Sequence, residues 1–147
     1  MVPLFPGGYH GLHRCAVAWT DLVLDSLRSL SVYVPDAKIL FLCSVRDQAL
    51  TQYQNYLDTG VFEATEAAGK EFEHHLKRMV DELLTLPNTA AFLWSDRDND
   101  TELTFHTVTM IQFVGAEYGG VKVSDWLMEA IRGNLVSYGL DLFSGGQ

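Results

Sequence analysis

The segment from about Thr65 to Leu86 does most to limit what this chain can fold into. Ala68, Phe72, Leu76, Met79 and Leu83 recur every three to four residues, and Pro87 closes the run. That spacing places one apolar stripe along one face of a long helix, which must be buried against something. On the opposite face Glu66–Lys70, Glu73–Lys77 and Arg78–Glu82 stand four apart. Pairs at that spacing each add about 0.2–0.5 kcal/mol.

The other elements follow from similar signals. Leu12, Cys15, Ala16, Trp19, Leu22, Val23, Leu27 and Leu30 form a second helical stripe, with Val32-Tyr33-Val34 read as a short extended piece before Pro35. Residues 38–43, Lys-Ile-Leu-Phe-Leu-Cys, are nearly all apolar and suit a strand buried on both faces. A helix carrying Ala49, Leu50, Tyr53, Tyr56 and Leu57 is expected to start near Ser44 and end near Gly60. Residues 90–94 and 103–113, apolar and rich in β-branched and aromatic types, flank a polar loop and read as a β-hairpin. Gly115, Gly119 and Gly120 mark a turn. Ser124 is then placed to cap a last helix bearing Trp126, Leu127, Ala130, Ile131 and Leu135, closed by Gly139.

One strand, two helices and then a hairpin do not alternate as a doubly wound fold requires. The expected architecture is α+β: a small mixed or antiparallel sheet with a β-hairpin at about 89–114, packed against four helices. A chain of 147 residues is read as one domain spanning 1–147, with irregular arms at 1–10 and 140–147. Leu4-Phe5-Pro6-Gly7-Gly8 and Leu142-Phe143-Ser144-Gly145-Gly146 echo each other across those arms, which coincidence explains most simply; the other reading is two Leu-Phe tips that dock on neighbouring subunits.

Charge narrows the function classes. The formal net charge is −9, and ten of the nineteen acids fall in residues 51–100. No basic stripe exists for nucleic-acid phosphates, so direct binding to DNA or RNA is not expected. An acidic surface instead steers a basic partner to its site. No apolar run approaches a membrane span, and Met1 is followed by neither a basic start nor a long apolar core. With two cysteines and no disulfide framework, a cytoplasmic setting is expected, without a cofactor.

The loop between the hairpin strands, Ser95-Asp96-Arg97-Asp98-Asn99-Asp100-Thr101-Glu102, concentrates that charge. Alternate acids resemble the spacing of oxygen ligands in calcium loops. Thr101, however, stands where an EF-hand needs glycine, and strands replace the flanking helices. Asp and Asn also serve a plain turn. Asp96, Asp98, Asp100 and Glu102 are therefore candidate partner-binding residues, with Glu66, Glu73, Asp81 and Glu82 as a secondary acidic face. The favoured function is a non-catalytic acidic interaction protein, an inhibitor or immunity-type protein or an assembly subunit. Its partner would be a protein with a basic surface, or a second copy of the chain.

Two other classes are open. Cys43, at a strand-to-helix junction, is a candidate nucleophile, because a helix N-terminus can lower a thiol pKa. His10, His13 and Cys15 are candidate metal ligands, although no second ligand pair follows at zinc spacing. His74 and His75 are adjacent, so they point apart on a helix. Acid pairs such as Glu117 with Asp125, or Asp21 with Asp25, carry little information in an acidic chain. Tyr53 and Tyr56, three apart beside Leu57, can form a small exposed patch of the kind that anchors interfaces.

Overall fold

A computed structural model describes residues 19–95, 103 and 115–144. The elements run α1 (Trp19–Tyr33), β1 (Ile39–Ser44), α2 (Gln48–Thr59), α3 (Glu66–Leu83), β2 (Thr89–Trp94), β3 (Glu117–Tyr118), β4 (Val121–Lys122) and α4 (Val123–Arg132), then a 3-10 turn at Leu140–Ser144. The fold is a small α+β arrangement of four helices and short sheets, as the sequence predicts.

Strands β1 and β2 pair in parallel, from Ile39 opposite Thr89 to Ser44 opposite Trp94. The connection between them holds α2 and α3, and a helical crossover returns the chain in the same direction. Antiparallel pairing among the described residues is confined to β3 and β4, joined through Gly119 and Gly120 at φ +59° and +79°. Such left-handed residues suit a two-residue hairpin turn. The expected hairpin at 89–114 contributes β2; its acidic tip and most of its second strand lie outside the described residues.

Period-two alternation sorts the strand residues onto two faces. Ile39, Cys43, Ala91 and Leu93 join Leu24 of α1 and Phe72, Leu76, Met79, Val80 and Leu83 of α3 in one core. Ala90, Phe92 and Trp94 join Val123 and Trp126 of α4 in a second. The Phe92 and Trp126 rings lie 5.4 Å apart, within the range of favourable aromatic contact. Fully burying one such side chain contributes about 1.5–3 kcal/mol. The stripe on α3 thus faces the sheet, as predicted, with Val80 added.

Several boundaries differ from expectation, each for a local reason. The extended piece predicted at 32–34 is helix as far as Tyr33. Nothing before Pro35 breaks the helix, and Val34 N–H still donates to Leu30 O at 2.8 Å. Helix α2 begins after Asp47, not near Ser44, because the Asp47 carboxylate accepts the Leu50 N–H at 2.9 Å. Strand β1 is only half-buried over Leu40, Phe41 and Leu42, whereas β2 is buried throughout beyond Thr89. The difference arises because β2 has neighbours on both sides: β1, and a bridge from Phe92 to Tyr138.

That bridge also explains the end of α4. The helix stops at Gly133, in the left-handed region at φ +108°, and not at Gly139. Residues 134–139 then run beside β2, with Leu93 N–H donating to Tyr138 O and Tyr138 N–H to Ala91 O, each at 2.9 Å. Within the arm predicted at 140–147, Leu140–Ser144 form a 3-10 turn. Leu142 and Phe143 pack against the α3-side core, so this Leu-Phe pair is not a free docking tip. No helix among the described residues is long and apolar enough to cross a membrane.

Candidate interaction surface

Among the described residues, exposed aromatic side chains gather at the end of α2 and in the loop that follows. Tyr53 and Tyr56 project from the helix at 49% and 46% exposure, and Val61 and Phe62 from the loop at 52% and 61%. Polar side chains inside α2 hold this loop in shape. Asn55 Nδ2 donates to the carbonyls of Val61 (3.1 Å) and Glu63 (2.9 Å). Thr59 Oγ1 donates to Asn55 O at 2.7 Å and accepts the Val61 N–H at 3.2 Å. Gly60, at φ +80°, reverses the chain while its N–H still bonds Tyr56 O. Phe62 consequently meets Tyr56 edge to face, with ring centroids 6.3 Å apart.

The segment that forms this surface carries acids and no bases. No Lys, Arg or His occurs between Arg46 and Lys70, whereas Asp58, Glu63 and Glu66 do. Asp58 accepts both bonds of Gln54 Nε2 at 2.9 Å, which fixes its carboxylate. Glu66 is held below the usual carboxylate range, first by its hydrogen bond to Lys70 and then by that residue's charge.

The predicted secondary acidic face is already engaged within the chain. Glu66 pairs with Lys70 (2.6 Å), Asp81 with Lys77 (2.5 Å) and Glu82 with Arg28 of α1. Glu73 does not meet Lys77. It pairs instead with Arg46 at 2.7 Å, with side-chain exposures of only 14% and 9%. Arg78 likewise reaches Asp21 of α1 at 2.7 Å, not Glu82. Of the three pairs predicted along the helix Glu66–Lys70 forms, whereas Glu73 and Arg78 tether other elements because α1 and residue 46 lie against α3. Asp96, Asp98, Asp100 and Glu102 lie outside the described residues, as do His10, His13 and Cys15.

Cys43 does not have the setting of a reactive thiol. It is buried, its Sγ donates to Ser44 O at 3.3 Å, and burial, reinforced by the Asp47 charge, pushes its pKa far up. The thiol is therefore protonated at neutral pH, and the start of α2 at Gln48 removes the helix terminus expected beside it. His75 Nε2 lies 3.1 Å from Glu71 Oε1, and no group of three metal-ligating side chains occurs among the described residues. Asp21 and Asp25 are each paired with an arginine.

Sequence reasoning found Tyr53 and Tyr56 but missed Val61 and Phe62. Their exposure depends on Asn55 bonding across the loop, and the only sequence signal was an Asn in the helix five residues before Gly60. Comparison with protein families, with curated proteins and with solved structures gives no match.

Proposed function

We propose that this chain is a non-catalytic acidic interaction protein, and that α2 with the loop at 60–65 is its docking surface for a basic macromolecule. The observation that carries this reading is the fixed Tyr56–Phe62 pair, exposed within a stretch that holds acids and no bases. Tyrosines that are already ordered before binding lose little entropy on contact and are common interface anchors. The surrounding carboxylates select a partner rich in Lys or Arg and speed its approach. A small acidic protein of this kind fits an inhibitor, an immunity-type protein or an assembly subunit of the cytoplasm. A nucleic acid partner is disfavoured by the same charge.

The test is a pair of variants, Tyr56→Ser and Phe62→Ser, in a binding assay against the partner recovered from the host. Each side chain is exposed, so folding should be preserved. Each variant should weaken binding by roughly 2 kcal/mol, about thirtyfold. Unchanged affinity in both would remove α2 as the docking surface.

A further inference from the structure

We infer that a second, separate site exists beside α4: the cavity between that helix and residues 133–138 binds a small amphipathic amine, a cationic head on an apolar body. The cavity measures about 600 Å³, within the range of small-molecule sites. Val121, Trp126, Leu135 and Val136 give it an apolar wall. Its charged lining residues are Asp125 and Glu129, with no lysine or arginine among them.

The wall is preformed. Trp126 Nε1 donates to Val136 O at 2.7 Å, which ties the indole of α4 to the strand-like segment opposite. Preformed walls reduce the ordering cost of binding. The two carboxylates have different states. Glu129 is fixed by Arg132 (2.6 Å) and Asn134 (2.7 Å), and these two groups, Asn134 foremost, hold it ionised by lowering its pKa. Its charge is thus largely compensated by Arg132. Asp125, one turn earlier, is exposed and has no ion pair or hydrogen bond among the described residues. The helix C-terminus does not add to the attraction, because Lys38 Nζ already bonds Ala130 O (2.8 Å) and Ile131 O (3.2 Å). One open carboxylate beside an apolar wall complements one cation carried on an apolar group. The site lies on the opposite side of the sheet from the α3-side core and is independent of the docking surface on α2.

The experiment titrates 2-phenylethylamine, 2-phenylethanol and 3-phenylpropionate separately into isotope-labelled full-length protein. The Trp126 indole N–H and the amides of residues 133–136 report binding by NMR. The amine should saturate these signals at least about tenfold more tightly than the alcohol, and the carboxylate should not saturate them. Asp125→Asn, a change at an exposed position, should erase the preference for amine while leaving the alcohol unaffected. Equal binding of amine and alcohol, or an unchanged preference in Asp125→Asn, would overturn the inference. So would shifts centred on Tyr53 to Glu63. Tighter binding of Nα-acetyl-lysine amide than of 2-phenylethylamine would overturn the small-molecule assignment in favour of a partner's side chain.

Discussion

Among the described glycines, Gly139 is the position where one added methyl group should do most harm. Its φ of +77° lies in the left-handed region, where an L side chain costs roughly 1–2 kcal/mol. A Cβ built there would lie 2.1 Å from Leu93 O and 2.8 Å from Leu93 C, both backbone atoms of the buried strand β2. Neither can rotate away, so residues 138 and 139 must lift off the strand. Lifting breaks the two bonds between Tyr138 and the Ala91 and Leu93 backbone, each contributing about 1 kcal/mol. Gly139→Ala should therefore destabilise the protein by about 3–4 kcal/mol. That is a large share of the roughly 5–15 kcal/mol typical of a domain. At about 2–4 °C per kcal/mol, the melting temperature should fall by around 10 °C. Gly120→Ala is the matched control, because Gly120 has a similar φ of +79° but open space around its Cβ. Urea unfolding followed by circular dichroism, with unchanged m values, measures both. If Gly139→Ala costs no more than Gly120→Ala, the packing of residues 134–139 against β2 is wrong.

Other expectations follow from single contacts. Gly69→Ala should change stability by less than about 1 kcal/mol, because gained helix propensity offsets a 2.9 Å approach to the movable Leu103 Cδ2; urea unfolding checks it. Glu73→Ala should cost about 1–3 kcal/mol by removing the carboxylate that Arg46 meets at 2.7 Å in a nearly buried site, measured by urea unfolding. In a Cys15→Ser background, Cys43 should react with a thiol reagent only as fast as the protein opens; labelling within minutes under native conditions would contradict its burial. Tyr118 has its pKa raised, chiefly by the hydrogen bond it donates to Asp141. The stability from that bond is present below the unfolded tyrosine pKa, near 10, and is lost as pH rises through the higher folded value. Absorbance titration at alkaline pH should show Tyr118 ionising earlier in Asp141→Asn.

The elements with a strong period were legible in the sequence, and those governed by long-range contacts were not. The stripe Phe72, Leu76, Met79, Leu83 announces α3 by itself, and Thr65 caps it as its side chain type suggests. By contrast, the end of α4 depends on Tyr138 finding the open edge of β2, which no local pattern encodes. The spacing of Glu73 and Lys77 predicts a solvated pair; burial beside Arg46 is a tertiary fact. The strand pairing was equally hidden, since the apolar run at 38–43 suits parallel and antiparallel neighbours alike. At the candidate surface, Tyr53 and Tyr56 were visible as an exposed pair. Phe62 joined them only through the bonds of Asn55 and Thr59.

The most direct test of the interaction role is a quantitative comparison of complexes recovered from the host. Wild-type protein and the Tyr56→Ser/Phe62→Ser double variant are purified gently side by side, and each is weighed by native mass spectrometry at low and high salt. The account predicts a stoichiometric complex with a basic protein for the wild type, weakened by salt and absent from the double variant. A bare wild-type monomer, or the same complex in equal yield from the double variant, would contradict it.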